Sequence, residues 1–70
     1  MNKLAILIKS TRINEHKTSL EFATELGITR ATLSALENGG KPSATTLIKL
    51  ESKFKRSVED LLTLYYIFGA

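Results

Sequence analysis

The range Thr18–Glu37 most constrains the fold, because it holds two short helix patterns joined by a tight turn. Thr18 and Glu21 have the spacing of a capping box, in which each side chain bonds a backbone amide at the start of a helix. Gly27 stands where a helix ends in a left-handed residue, a conformation that glycine adopts without steric cost. Thr29 can cap the next helix, so that two residues span the turn. The range therefore predicts helix, turn, helix.

Helix caps recur along the whole chain. Each residue of capping type precedes apolar residues at the i, i+3, i+4 spacing of an amphipathic helix. The caps are Asn2, Thr18, Thr29, Ser43 and Ser57. The range 38–42 holds two glycines and a proline and is the one evident loop. No linker or repeat divides the chain, so we predict a single all-α domain of five helices over residues 1–70.

Composition excludes several classes of protein. Seventy residues build only a small core, which dimerisation would help to stabilise. With no cysteine and one histidine there is no disulfide framework, zinc ligand set or thiol nucleophile, which favours the cytoplasm. No acid-base pair or activated nucleophile is evident, so we expect neither an enzyme nor a cofactor. The net charge of +3 suits a polyanionic partner.

The two apolar runs at the chain ends do not predict membrane insertion. Leu4–Ile8 is five residues long and has no cleavage site after it, unlike a signal peptide. Leu61–Phe68 is far shorter than the ~20 residues that span a bilayer. We therefore expect no membrane association.

Several short motifs occur together and in one order: Arg12, Thr18, Leu26-Gly27-Ile28-Thr29, Leu33 through Gly39, Pro42-Ser43 and Leu47 through Leu50. In this order they resemble the XRE family of phage Cro and repressor proteins, and the turn resembles the DNA-binding helix-turn-helix. The resemblance covers residues 4–62, and residues 63–70 extend beyond it. It implies a lambda-repressor-like domain in which the second and third helices form the DNA-binding unit.

The third helix has one face free for DNA. At about 100° per residue, Leu33 and Leu36 define its buried side. The opposite side carries Ala31, Ser34, Ala35 and Asn38, and Arg30 lies on the flank.

The resemblance implies that this helix enters the major groove. Arg30 then grips guanine, Ala31 and Ala35 touch thymine methyl groups, and Thr32 and Ser34 give short hydrogen bonds. Two alanines offer few hydrogen bonds, so we expect a larger share of recognition by DNA shape. One alternative is that Arg30 contacts a phosphate instead of a base. Another is that this side of the helix is an ordinary solvent-facing surface.

Phosphate contacts are expected around the reading helix. Free amides and partial positive charge at helix starts favour phosphate. The candidates are Thr18, Ser19 and Thr29 at helix starts, and Asn38, Gly39, Gly40 and Lys41 in the loop. The alternative is that Thr18 is only a cap and Asn38-Gly39 only a helix stop.

Two further features depart from a simple surface pattern. Glu37 lies toward the buried side of the third helix, and the resemblance makes Arg12 its partner in a structural ion pair. Lys55 stands where the family commonly has glycine, so a left-handed backbone there would be strained. Around helices four and five, a solvated face is expected for Lys49, Lys53, Lys55 and Arg56, and the alternative is a second nucleic-acid site.

The C-terminal extension points apolar side chains in nearly every direction, namely Leu64, Tyr65, Tyr66, Ile67 and Phe68. A domain this small has few places to bury them, so we expect a dimer interface here. The alternatives are that the extension folds back on its own domain, or forms a short strand.

These inferences predict a sequence-specific regulator that binds double-stranded DNA, most simply a repressor on a palindromic operator, acting as a homodimer. One alternative is an antitoxin that uses the same helices on DNA and the apolar extension on its toxin. Another is a protein-interaction module that has lost DNA binding.

Overall fold

The computed structural model describes residues 1–69, and this part of the chain forms five α-helices and no strand. The helices are α1 (Lys3–Asn14), α2 (Ser19–Leu26), α3 (Arg30–Glu37), α4 (Ala44–Phe54) and α5 (Val58–Tyr66). The predicted all-α, five-helix fold is confirmed. None of the described helices is both long and apolar enough to cross a membrane.

Each helix starts directly after one of the five predicted caps. In every case the cap side chain accepts a hydrogen bond from the amide three residues on, which satisfies a donor that the helix leaves free. The accepting residues are Asn2, Thr18, Thr29, Ser43 and Ser57. The capping box of Thr18 and Glu21 is complete, with both of its reciprocal hydrogen bonds formed.

Two helices end in left-handed residues. Gly27 ends α2 with φ of 76°, where glycine has no steric penalty. Lys55 ends α4 with φ of 53°, a conformation that strains a residue with a Cβ atom. The strain expected at Lys55 is therefore built into the α4–α5 connection.

The core takes large side chains from every helix. The large side chains that are fully buried are Leu4 and Ile8 of α1, Phe22 of α2, Leu33 of α3, Leu50 of α4 and Leu61 of α5. α3 packs on α1 and α2, while α5 packs on α1 and α4. One side of α3 is thereby held in the core and the other is left to solvent.

The C-terminal extension combines helix and extended backbone. α5 continues to Tyr66, and Ile67 is extended with φ of −103° and ψ of 127°. Phe68 forms an isolated antiparallel bridge with Asn2, and the Lys3 amide donates to the Ile67 carbonyl at 2.7 Å. The extension therefore returns to the N-terminus of its own chain.

The side chains of the extension divide into two groups. Leu64 and Tyr65 are half-buried and pack against the core. Tyr66, Ile67 and Phe68 are exposed, as is Met1 beside them. We call Met1, Tyr66, Ile67 and Phe68 the tail patch.

Candidate nucleic-acid interface

The side chains of α3 divide between a buried and an exposed side. Leu33, Leu36 and Glu37 are buried. The exposed side carries Arg30, Ala31, Ser34 and Ala35, and Thr32 is half-buried at its edge. The residues expected to read bases therefore share one accessible face, on which two of the side chains are single methyl groups.

The start of α3 is organised by Thr29. Its hydroxyl accepts from the Thr32 amide at 3.1 Å and donates to the Thr32 hydroxyl oxygen at 2.8 Å. The two hydroxyl groups are therefore bonded to each other beside the first turn of the helix. The amides of Arg30 and Ala31 lie in the first turn, where no carbonyl of the helix can accept from them.

The start of α2 carries a carboxylate as well as free amides. The Thr18 amide donates to Glu21 Oε1 at 2.8 Å, and this bond is the main reason that the pKa of Glu21 is lowered. The Thr18 amide is thus used within the capping box. Ser19 and Leu20 supply the first-turn amides that remain for a phosphate at this end.

The loop after α3 turns its glycine amides back onto the helix. Gly39, with φ of 94°, donates to the Leu36 carbonyl at 3.1 Å, and Gly40 donates to the Ala35 carbonyl at 2.8 Å. A Cβ atom at Gly40 would lie 2.8 Å from that Ala35 oxygen. Both glycines therefore shape the loop, while Lys41 gives it an exposed cationic side chain.

Asn38 closes α3 with its side chain. Its Nδ2 atom donates to the Ser34 carbonyl at 2.9 Å and lies 3.5 Å from the Ser34 hydroxyl oxygen. Both residues are exposed at the C-terminal end of the reading face. The position of the Ser34 hydroxyl is thus tied to the end of the helix.

The tail patch borders this loop. Lys41 Nζ lies over the Tyr66 ring, 5.8 Å from its centroid, within the range of a cation–π contact. A pocket of about 450 Å³ is lined by residues of the loop and of both ends of the chain. Its lining consists of Met1, Asn2, Asn38, Gly39, Tyr65, Tyr66 and Phe68.

Comparison with known families agrees with this geometry. A family model described as helix-turn-helix matches residues 8–61, well over half of the chain. The chain belongs to the XRE family of helix-turn-helix proteins. No curated protein and no solved structure gives a significant match. Membership of this family makes the protein a DNA-binding transcription regulator of a typically non-enzymatic class.

In this XRE domain α3 is fixed to α1 by an ion pair. Arg12 Nε donates to Glu37 Oε2 at 2.8 Å and Arg12 Nη2 donates to Glu37 Oε1 at 3.1 Å. Arg12 Nη1 also donates to the Lys17 carbonyl at 3.3 Å. The hydrogen bonds that Arg12 donates to Glu37 raise the pKa of Arg12, against the opposing effect of desolvation. The pair neutralises a buried carboxylate at the C-terminal end of α3.

A lysine of α4 supports the turn of the XRE domain. Lys49 Nζ donates to the Gly27 carbonyl at 2.6 Å, at the point where α2 ends. Lys49 is exposed, as expected for a residue of a solvated face. The turn contact depends on a partner 22 residues away, which no local pattern indicates.

A second group of charges joins the α1–α2 connection to α2 and α4. Lys53 donates to Glu15 at 2.8 Å and to Glu25 at 2.7 Å, and Lys17 contacts the same two carboxylates. Lys53 also lies 5.5 Å from the centroid of the Phe22 ring. Lys53 is thus part of a neutral four-membered cluster and gives no excess positive charge for DNA.

Proposed function

We propose that this protein is a repressor that binds a palindromic operator as a homodimer and blocks transcription without a cofactor. The observation that carries the proposal is the exposed face of α3, where Ala31 and Ala35 are flanked by Arg30. Small side chains allow the helix axis to come close to base edges, and the guanidinium supplies the bidentate donor that guanine recognition uses.

Base contacts are assigned to five side chains of α3. Arg30 donates to guanine O6 and N7, while Ala31 and Ala35 pack on thymine methyl groups. Ser34 and Thr32 supply single hydrogen bonds through their hydroxyl groups. Because these contacts are few, DNA shape and deformability contribute to the choice of operator.

Phosphate contacts are assigned to groups on both sides of α3. The first turns of α2 and α3 offer free amides beside three hydroxyl-bearing residues, Thr18, Ser19 and Thr29. Lys41 and the Asn38 amide group contact the backbone beyond the other end of α3. Gly39 and Gly40 contribute by loop shape, because their amides are used within the chain.

The dimensions of the domain support a dimer. Its principal extents are 26, 26 and 20 Å, less than the ~34 Å between half-sites one DNA turn apart. One copy therefore fits one half-site, and a palindrome needs two copies related by a two-fold axis. The tail patch offers four exposed apolar side chains for the contact, close to the loop that follows α3.

The test is a selection of random duplex DNA on the purified protein at near-physiological salt, with the Ala31→Glu variant in parallel. The expected result is a palindrome with half-sites about one turn apart, enriched by the parent protein alone. Enrichment without symmetry would overturn the dimeric operator. No enrichment at any protein concentration would overturn operator binding by the isolated protein.

The exposed tail patch favours one second candidate, an antitoxin whose apolar end binds a toxin. In that case the selection enriches a DNA sequence only after the toxin is added, or enriches it more strongly when the toxin is present. A pure protein-interaction module is distinguished by salt, because counterion release makes DNA affinity fall steeply with ionic strength whereas an apolar protein contact changes little.

A further inference from the structure

Asn2 carries more hydrogen bonds than a helix cap requires. It is 4 % exposed, and its Oδ1 atom accepts from the Ala5 amide at 2.8 Å. Serine, threonine and aspartate cap a helix with an oxygen alone. The Asn2 Nδ2 atom instead donates to the Gly39 carbonyl at 3.1 Å, across 37 positions of the chain.

The backbone on both sides of Asn2 is fixed by the C-terminal extension. The Lys3 amide donates to the Ile67 carbonyl at 2.7 Å, and the Gly69 amide donates to the Met1 carbonyl at 3.0 Å. These bonds restrain the residue before Asn2 and the residue after it. The Asn2 side chain is therefore attached to a backbone segment that is restrained on both sides.

The acceptor of this bond belongs to the peptide unit that links Gly39 to Gly40. A peptide unit is planar, so its carbonyl and its amide move together. The carbonyl accepts from Asn2, and the amide donates to the Ala35 carbonyl at 2.8 Å. The unit is held at both ends, although its two residues are the most flexible type.

We infer that Asn2 is a positioning residue of the DNA interface. By fixing the peptide unit between Gly39 and Gly40, it sets the direction in which the chain leaves α3 and presents Lys41 to a phosphate. This inference rests on the proposed function, because the phosphate contact of Lys41 is part of it. The same residue links the loop to the extension that carries three of the four residues of the tail patch.

The decisive variant is Asn2→Ser, which keeps a capping oxygen and removes the amide group. We expect Asn2→Ser to bind the selected duplex about five- to tenfold more weakly than the parent protein does. The slope of log affinity against log salt concentration should fall by about the amount that one phosphate contact contributes. Ser57→Ala removes the cap of α5 and is the control for a loss of stability alone. It is expected to lower the melting temperature and leave affinity at 25 °C unchanged.

A double-mutant cycle with Lys41→Ala separates positioning from general loosening. If Asn2 positions Lys41, the Lys41→Ala change weakens DNA binding in the parent protein and has little further effect in Asn2→Ser. Additive losses, or parental affinity and salt slope in Asn2→Ser, would overturn the inference.

A measurement without DNA distinguishes failure of this inference from failure of the proposed function. The Gly40 amide should lose protection from hydrogen exchange in Asn2→Ser, while amides within α3 keep theirs. Unchanged Gly40 protection would refute the positioning role whatever the protein binds. A parent protein that enriches no DNA would instead refute the proposed function.

Discussion

Arg12 and Glu37 lie 25 residues apart and form a two-pronged ion pair between the ends of α1 and α3. Only 18 % of the Arg12 side chain and 11 % of the Glu37 side chain are exposed. At this burial, each charge depends on the other for the interactions it lost with water. The pair thus contributes both to the stability of the domain and to the orientation of α3 relative to α1.

Removal of one partner should destabilise the domain more than removal of both. Arg12→Met and Glu37→Leu should each lower the free energy of unfolding by about 3 kcal/mol, because each leaves a charge without its partner. The combined variant should recover most of that loss, since apolar side chains of similar size replace both charges. Urea denaturation followed by circular dichroism measures the three values. Losses that simply add would contradict the coupling.

Local chemistry explains why so much of the fold was predictable. A cap such as Thr18 and a stop such as Gly27 act on backbone groups within four residues, so their effect can be predicted from the residues next to them in the sequence. The exposed face of α3 follows from the helix period for the same reason. The five helix starts and the turn were predicted on this basis and are confirmed.

The remaining features depend on how the helices pack. Lys49 meets the Gly27 carbonyl, and Asn2 meets the Gly39 carbonyl, across 22 and 37 residues. Such contacts have no spacing signature, because they arise only once distant helices are side by side. The inward direction of the Gly40 amide is instead a local feature, because it and the Gly39 amide close the end of α3 within five residues, as in a glycine helix stop.

The strained end of α4 predicts a stabilising substitution. Lys55→Gly should raise the free energy of unfolding by about 0.5 kcal/mol, because release of left-handed strain exceeds the added entropy of the unfolded chain. Lys55→Ala is the matched control; it removes the same charge but keeps the Cβ atom that causes the strain. A thermal melt of both variants checks this, and equal gains would attribute the effect to charge instead.

The charge cluster predicts how stability depends on pH. Hydrogen bonds from Lys53 and Lys17 lower the pKa of Glu15 and of Glu25 in the folded protein. The cluster therefore stabilises the fold above the usual glutamate pKa of about 4.3, and this contribution is lost as the pH falls through the lower folded values.

Glu25→Gln should therefore make the melting temperature depend less on pH in the acid range. Its melting temperature should lie below that of the parent near pH 6 and approach it near pH 2. The same charge change at Glu59, an exposed residue outside the cluster, is the control. Calorimetry at low salt measures the profiles, and a constant difference between parent and Glu25→Gln at all pH values would refute the contribution.

The reading face can be tested by adding a charge. Ala31→Glu should abolish operator binding, because a carboxylate would stand against base edges and phosphates, while the melting temperature stays nearly unchanged at this exposed helical position. Ser52→Glu adds the same charge on the exposed side of α4 and should keep most of the affinity. Gel shift and thermal melting on both variants give the comparison; a parallel loss of folding in Ala31→Glu would place Ala31 in the core instead.

The tail patch can be tested without disturbing the core. Truncation after Leu62 would remove Leu64 and Tyr65, which pack on the core. The substitution Phe68→Ser is therefore the better test. Phe68 is 77 % exposed, and its bridge to Asn2 is formed by the backbone. If the patch forms the dimer, this variant should sediment as a folded monomer and lose most of its affinity for a palindrome while still binding a half-site weakly. Ile48→Ser, at an α4 residue 61 % exposed and outside the patch, should remain dimeric. If the Phe68→Ser protein dimerises like the parent, the tail patch is not the dimer interface.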